Sequence, residues 1–140
     1  MSSNTTKVWQ LTPEISKRID LYLEEIYPAS EEMGKKMVCL RTSQVRGLEN
    51  LIVSTSRFSE IINYIKNQAG KDTKNKNWAA IVEDMLHQLK DLENKARGIG
   101  ETDTEAMLEI KLKLAKGWAR QVVSHYLYES TLKGGKDEHQ

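Results

Sequence analysis

A chain of 140 residues with 21 Lys+Arg against 20 Asp+Glu and a formal net charge of +1 has the length of one domain, and it can bury roughly 68% of its unfolded surface without disulfides or a structural metal. One cysteine, Cys39, excludes an intramolecular disulfide and fits a reducing, cytoplasmic compartment, while no apolar run approaches a membrane span or a signal-peptide core. Two prolines, 29% charged and 39% apolar residues describe a soluble globular chain, not a fibrous or disordered one.

Residues 1–11 are expected to fray, with Trp9 able to dock on the neighbouring helix. Thr12-Pro13-Glu14 is a helix start: a capping hydroxyl, proline at the first helical position and an acid in the first turn. Ile15, Ile19, Tyr22, Leu23, Ile26 and Tyr27 then keep helical spacing, and Pro28 is expected to end the helix. Residues 29–41 read as a connection with a short turn at Met37–Leu40. A second helix starts at Thr42 or Ser43. Its stripe is Val45, Leu48, Leu51, Ile52, Thr55, Phe58, Ile62, Ile65 and Ala69, with Gly70 as the stop. Its β-branched content makes it dependent on tertiary packing.

Residues 71–77 form a basic loop, and Asn77 is the expected cap of a third helix. That helix carries Trp78, Ile81, Val82, Met85, Leu86, Leu89, Leu92 and Ala96 on one face and ends at Gly98 and Gly100. Thr102-Asp103-Thr104-Glu105 has the pattern of a capping box. The segment from Asp103 to Leu132 is ambiguous locally, because Leu108, Ile110, Leu112 and Leu114 alternate as in a strand. No second strand exists to pair with it. It therefore reads as a long helix with an apolar arc of Met107, Leu108, Leu112, Leu114, Ala115, Trp118, Ala119, Val122 and Tyr126, and with Gly117 allowing close approach. Residues 133–140 are expected to be a flexible tail. The expected fold is all-α: a bundle of four long helices and one short one over residues 12–132.

The near-zero charge hides alternation. Residues 41–77 hold 7 basic and 3 acidic side chains, and residues 111–136 hold 6 and 1, whereas residues 78–110 hold 3 and 8. On the second predicted helix Arg46, Asn50 and Arg57 fall within about 40° opposite the apolar stripe, flanked by Ser43 and Ser54. On the fourth, Lys113, Lys116 and Arg120 fall within about 60°. Lys66, Lys71, Lys74 and Lys76 continue the first ridge. Cations on rigid helices can meet successive phosphates, with Ser and Asn donating to phosphate or sugar. The same pattern also describes a plain solvated surface.

Few residues suggest catalysis. His87, His125, His139 and Cys39 lack metal-ligand spacing. His87 reads as solvated, and Cys39 as a buried or incidental thiol. Lys111 projects onto the apolar arc, where it either snorkels or pairs with an acid. Arg120-Gln-Val-Val-Ser-His125 is an Arg-x-x-x-x-His string. It resembles the ribonuclease motif of HEPN-type nucleases, in which the His moves a proton and the Arg supports the phosphate. A packed or interface histidine is the other reading.

Four strings resemble one family. Leu40-Arg-Thr-Ser-Gln-Val-Arg46 is similar to the Thr-Ser-Gln-Ile/Val-Arg signature of the small subunit of type III CRISPR effector complexes of the Csm type. Asn67-Gln-Ala-Gly-Lys71, Val122-Val-Ser-His-Tyr126 and Gly134-Gly-Lys136 resemble later motifs of that family in the same order. Residues 1–38 are a longer N-terminal extension than the family's, and about four residues near Glu129–Leu132 stand as an insertion before Gly134.

The resemblance implies a non-enzymatic subunit without a cofactor, acting in antiviral defence. It implies several copies stacked beside the backbone subunits, with a basic face along the duplex of guide RNA and target RNA that helps hold the target strand. Guide pairing would supply sequence choice, as in other guided nucleases. Arg46 and Lys71 are the basic positions carried by motif; Arg57, Lys66, Lys74, Lys76, Lys113, Lys116 and Arg120 rest on position alone. The alternatives are a HEPN-like ribonuclease using Arg120 and His125, and a helical adaptor that binds protein only.

Overall fold

The computed structural model describes residues 10–132. They form α1 (Pro13–Lys36), a 3-10 turn (Met37–Cys39), α2 (Thr42–Ser54), α3 (Phe58–Lys71), α4 (Asn77–Gly100) and α5 (Thr104–Leu132). The expected fraying over residues 1–9, Trp9, the 133–140 tail, His139 and Gly134–Lys136 lie outside the described residues.

The described residues contain helices and no strand. The strand-like alternation along α5 is a helix because α5 is central, packing against all four other helices. Ile110, Leu112 and Leu114 are buried on different sides of it, and Leu108 packs against the same core. A helix surrounded by neighbours has no reason to be amphipathic. α1 runs parallel to α5, with Leu23 over Gly117 and Tyr27 beside His125. α4 runs antiparallel to both: Tyr22 reaches the Asp91 carbonyl, and Lys36 meets Asp84 at 2.7 Å. α2 and α3 form a hairpin against α5 and α4.

Two boundary signals read differently in three dimensions: one lengthens α1, and the other splits the expected second helix, so that five helices replace the expected four long ones. Pro28 does not end α1; the helix continues to Lys36. An interior proline costs about 3 kcal/mol. The eight residues beyond it bury Ser30, Met33 and Gly34, and the 3-10 turn buries Met37. Each fully buried Met contributes about 1.5–3 kcal/mol, so packing offsets the break. Pro28, Glu24 and Glu25 are exposed, which leaves the carbonyl that loses its partner open to water. Side-chain amides also clamp α1 on both sides of the proline: Gln121 Nε2 donates to the Leu23 carbonyl at 2.9 Å, and Gln88 Nε2 to the Ala29 carbonyl at 3.1 Å.

The expected second helix is two helices. Ser54-Thr55-Ser56 interrupts it, since hydroxyl side chains compete for backbone groups. Ser54 Oγ donates back to the Asn50 carbonyl at 2.9 Å, and Thr55 Oγ1 accepts from the Arg57 amide at 3.1 Å. Arg57 is thus the residue before α3, not a mid-helix position. Glu60 closes the turn by accepting from Thr55 and Arg57. The Thr55 hydroxyl first, then the Arg57 guanidinium, hold the Glu60 carboxyl below its ordinary range.

Two caps also differ. Asn77 is the first residue of α4, and its side chain donates to the Cys39 carbonyl at 3.1 Å. The cap is Asp72, whose carboxylate accepts from the Trp78 amide at 2.9 Å and the Lys76 amide at 3.2 Å. At the start of α5 the cap is Asp103, accepting from the Ala106 amide at 3.0 Å, in place of the Thr102 hydroxyl.

Asp72 makes the acid response testable. Its amide donors, the Trp78 N–H foremost, hold its carboxyl below the ordinary range. A depressed folded pKa gives stability that is present above the unfolded value of about 4 and lost as pH falls through the lower folded value. Melting followed by circular dichroism is expected to show a falling midpoint below about pH 4. Asp72→Ala is expected to melt lower at pH 7 and to lose less on acidification. Parallel curves for the two proteins would remove Asp72 from this account.

Candidate nucleic-acid interface

The basic residues separate by what they already touch. Arg46 projects from α2 but reaches Glu49 at 2.8 Å, one turn along the same helix. Arg57 pairs with Glu60 in the same i,i+3 geometry. The break at 55–57 also removes the single helical register that placed Arg46, Asn50 and Arg57 in one line, so that ridge does not form as projected. Both arginines are at least half exposed, and exposed pairs of this kind hold little energy, about 0–1 kcal/mol. Each nonetheless carries its own counter-charge into any contact.

Lys113, Lys116 and Arg120 are different. They stand on one rigid stretch of α5 and line a groove of about 220 Å³ whose other wall is Ser16, Ile19, Asp20 and Leu23 of α1. None of the three has an ion-pair partner among the described residues. The groove exists because Gly117 admits α1 closely: a Cβ there would lie 2.5 Å from Leu23 Cδ1. Asp20 is the one acid in the groove wall, so three cations face one anion.

Lys66, Lys71, Lys74 and Lys76 are exposed and likewise without ion pairs among the described residues. Lys66 lines a separate groove between α3 and α4, beside Lys90 and Glu93. Lys71, Lys74 and Lys76 ring the turn that Asp72 organises, and Lys76 takes a left-handed backbone, φ 58°. Lys66 therefore lines a different groove from Lys113, Lys116 and Arg120.

The catalytic candidates are also placed. His125 Nε2 bonds the Tyr27 hydroxyl at 2.7 Å, with the rings edge-to-face at 5.1 Å. Arg120 lies in the α1–α5 groove. The pair from the Arg-x-x-x-x-His string thus faces two different sets of neighbours. Cys39 is exposed, not buried, and its thiol points at the Lys36 and Asn77 carbonyls. His87 is exposed and 3.8 Å from Asp91. Among the described residues no three His, Cys, Asp or Glu side chains group as metal ligands. No described helix is long and apolar enough to cross a membrane.

Lys111 does pair with an acid. Its ammonium lies 3.2 Å from Glu93 and 4.9 Å above the Phe58 ring. Burial alone would raise the Glu93 carboxyl, but Lys111 and then Lys90 bring it below the ordinary range. That lysine is tied into the α3–α4–α5 packing and is withdrawn from the basic surface. Sequence reading missed the partners of Arg46 and Arg57, although Glu49 and Glu60 each stand three residues further on, a spacing that signals a helical ion pair.

Comparison with protein-family models, curated proteins and solved structures returned no match.

Proposed function

We propose that the chain is a non-catalytic RNA-binding subunit, of the kind that its four strings resemble: the small subunit of a type III CRISPR effector complex. In that setting it would sit in the cytoplasm beside the backbone subunits and further copies of itself, against guide RNA and target RNA. The observation that carries this reading is the strip of Lys113, Lys116 and Arg120, three cations on one helix face without ion pairs among the described residues. Phosphates are the anions that such a strip fits, and a guided complex needs only backbone contacts from it. Lys71, from the second string, and its neighbours Lys66, Lys74 and Lys76 offer a second basic area. Arg46, matched by the first string, contributes less because Glu49 accompanies it.

The test is a salt titration of binding to labelled RNA, with each sample also run on a denaturing gel. Each lost phosphate contact lowers the log–log salt slope by roughly 0.7–0.9. Joint reversal of Lys113, Lys116 and Arg120 to Glu is therefore expected to flatten the slope by about 2–3 and weaken binding at low salt at least ~10-fold. Reversal of Arg46 and Arg57 is expected to do less. Unchanged binding by the triple variant would sink the proposal. Shortened RNA, abolished by His125→Ala in a folded protein, would move the chain to the ribonuclease class. Absence of RNA binding at low salt would favour the protein-only adaptor.

A further inference from the structure

We infer that the C-terminal end of the α1–α5 seam is a stacking platform for unpaired bases, so that the nucleic acid held on the α5 strip is single-stranded. The inference rests on the RNA-binding reading above and narrows its ligand to an unpaired strand, where the family resemblance implies a guide–target duplex.

The exposed stripe of α5 does not stop at the cations. Lys113, Arg120, Ser124 and Tyr128 fall within about 80° of one another on a helix, and all four are exposed. Tyr128 is 61% exposed and has no hydrogen-bond or ring partner among the described residues. One turn before it, His125 holds Tyr27 through the 2.7 Å hydrogen bond, leaving the Tyr27 ring fixed yet 42% exposed. Gly34 sets this arrangement: a Cβ there would fall 2.7 Å from the His125 Cβ.

The seam thus presents cations, then a hydroxyl, then two exposed aromatic rings, one of them already immobilised. Arg120 and Tyr128 are eight residues apart, about 12 Å along the axis, or about three to four stacked nucleotides. Cations for the backbone beside aromatic rings for bases is the arrangement that single-strand binders use. A duplex offers phosphates but keeps its base faces covered. The neighbouring cations favour this occupant over an apolar protein surface, because such a surface reaching from the tyrosines into the groove would cover three cations against the single carboxylate of Asp20.

The full chain is titrated with three labelled probes: a single-stranded RNA 12-mer, the same strand with abasic positions, and its blunt duplex, compared per strand. Stacking is worth roughly tenfold or more per base, so the intact strand is expected to bind about tenfold tighter than the abasic strand. Tyr128→Leu and Tyr27→Leu are each expected to remove most of that difference and leave the salt slope unchanged. Tyr128→Phe, which keeps the ring, is expected to retain it. A 2-aminopurine placed in the strand is expected to be quenched by the native protein and not by Tyr128→Leu.

Equal binding of abasic and intact strands, or tighter binding of the duplex, would overturn the platform and leave the phosphate strip standing. Failure of every probe to bind would overturn both readings. A concentration-dependent self-association lost in Tyr128→Leu, with RNA affinity unchanged, would assign the rings to a second copy and overturn the platform as well.

Discussion

Trp118→Ala is expected to cost about 3–5 kcal/mol, the range for removing a large aromatic from a core, and to lower the melting midpoint by roughly 10 °C or more. A domain of this size is stable by about 5–15 kcal/mol, so the variant loses a large fraction of what it has. Trp118 is 1% exposed at the middle of α5. Its indole Nε1 donates to Gln88 Oε1 at 2.8 Å, and the same amide then donates to the Ala29 carbonyl. One ring therefore couples α5, α4 and the part of α1 just past Pro28. Trp118→Phe separates the two contributions. It keeps most of the apolar volume and leaves Gln88 without its donor, for which about 1–2 kcal/mol is expected. Chemical denaturation of both variants measures the difference. Equal losses would mean that the ring's volume contributes nothing beyond its hydrogen bond.

Gly34→Val is the second large effect, with an expected cost of about 3 kcal/mol, at the upper end for overpacking. A Cβ at residue 34 would lie 2.7 Å from the Val122 carbonyl oxygen and 2.9 Å from the Tyr126 amide nitrogen. These are backbone atoms of α5 and cannot rotate away. The helices would have to separate where Tyr126, fully buried, donates its hydroxyl to the Leu40 carbonyl at 2.9 Å. Gly34→Ala regains about 1 kcal/mol of helix propensity and is expected to remain destabilised, by less than the valine variant. A thermal midpoint at or above the native one for Gly34→Ala would show that α1 shifts freely over α5. Because His125 lies over the same glycine, Gly34→Val is also expected to loosen the Tyr27–His125 pair.

Several features are legible in the residues alone. The helix starts at Thr12-Pro13 and near Thr42 come from capping and spacing, and the 3-10 turn after Lys36 and the third and fourth predicted helices come from spacing and glycine placement, although Asp72 and Asp103 replace the caps expected for the last two. These signals work because a cap or a 3.6-residue stripe is a property of neighbouring residues. The alternation along α5 resolves by elimination, since a lone strand has nothing to pair with. The close approach at Gly117 is legible as well, while the position of Lys111 leaves snorkelling and pairing with an acid both open until the fold brings Glu93 to it.

Long-range packing sets features of another kind. Pro28 reads locally as a stop, and α1 runs through it because Met33 and Gly34 are needed against α5 and because Gln88 and Gln121, 59 and 98 residues from the carbonyls they bind, clamp the helix. The run Ser54-Thr55-Ser56 is compatible with a helix by stripe alone; it breaks where the α2–α3 hairpin must turn. The charge pattern identifies the basic residues but not their freedom. Glu49 and Glu60 occupy Arg46 and Arg57, while folding leaves Lys113, Lys116 and Arg120 in a groove with one acid. Which segments are helical and which side chains carry charge depends on near neighbours, and the order of residues is enough to specify it. Which cations are unpaired and which face they share is specified by the packed bundle, because an ion pair or a groove depends on atoms that the fold brings together from distant parts of the chain.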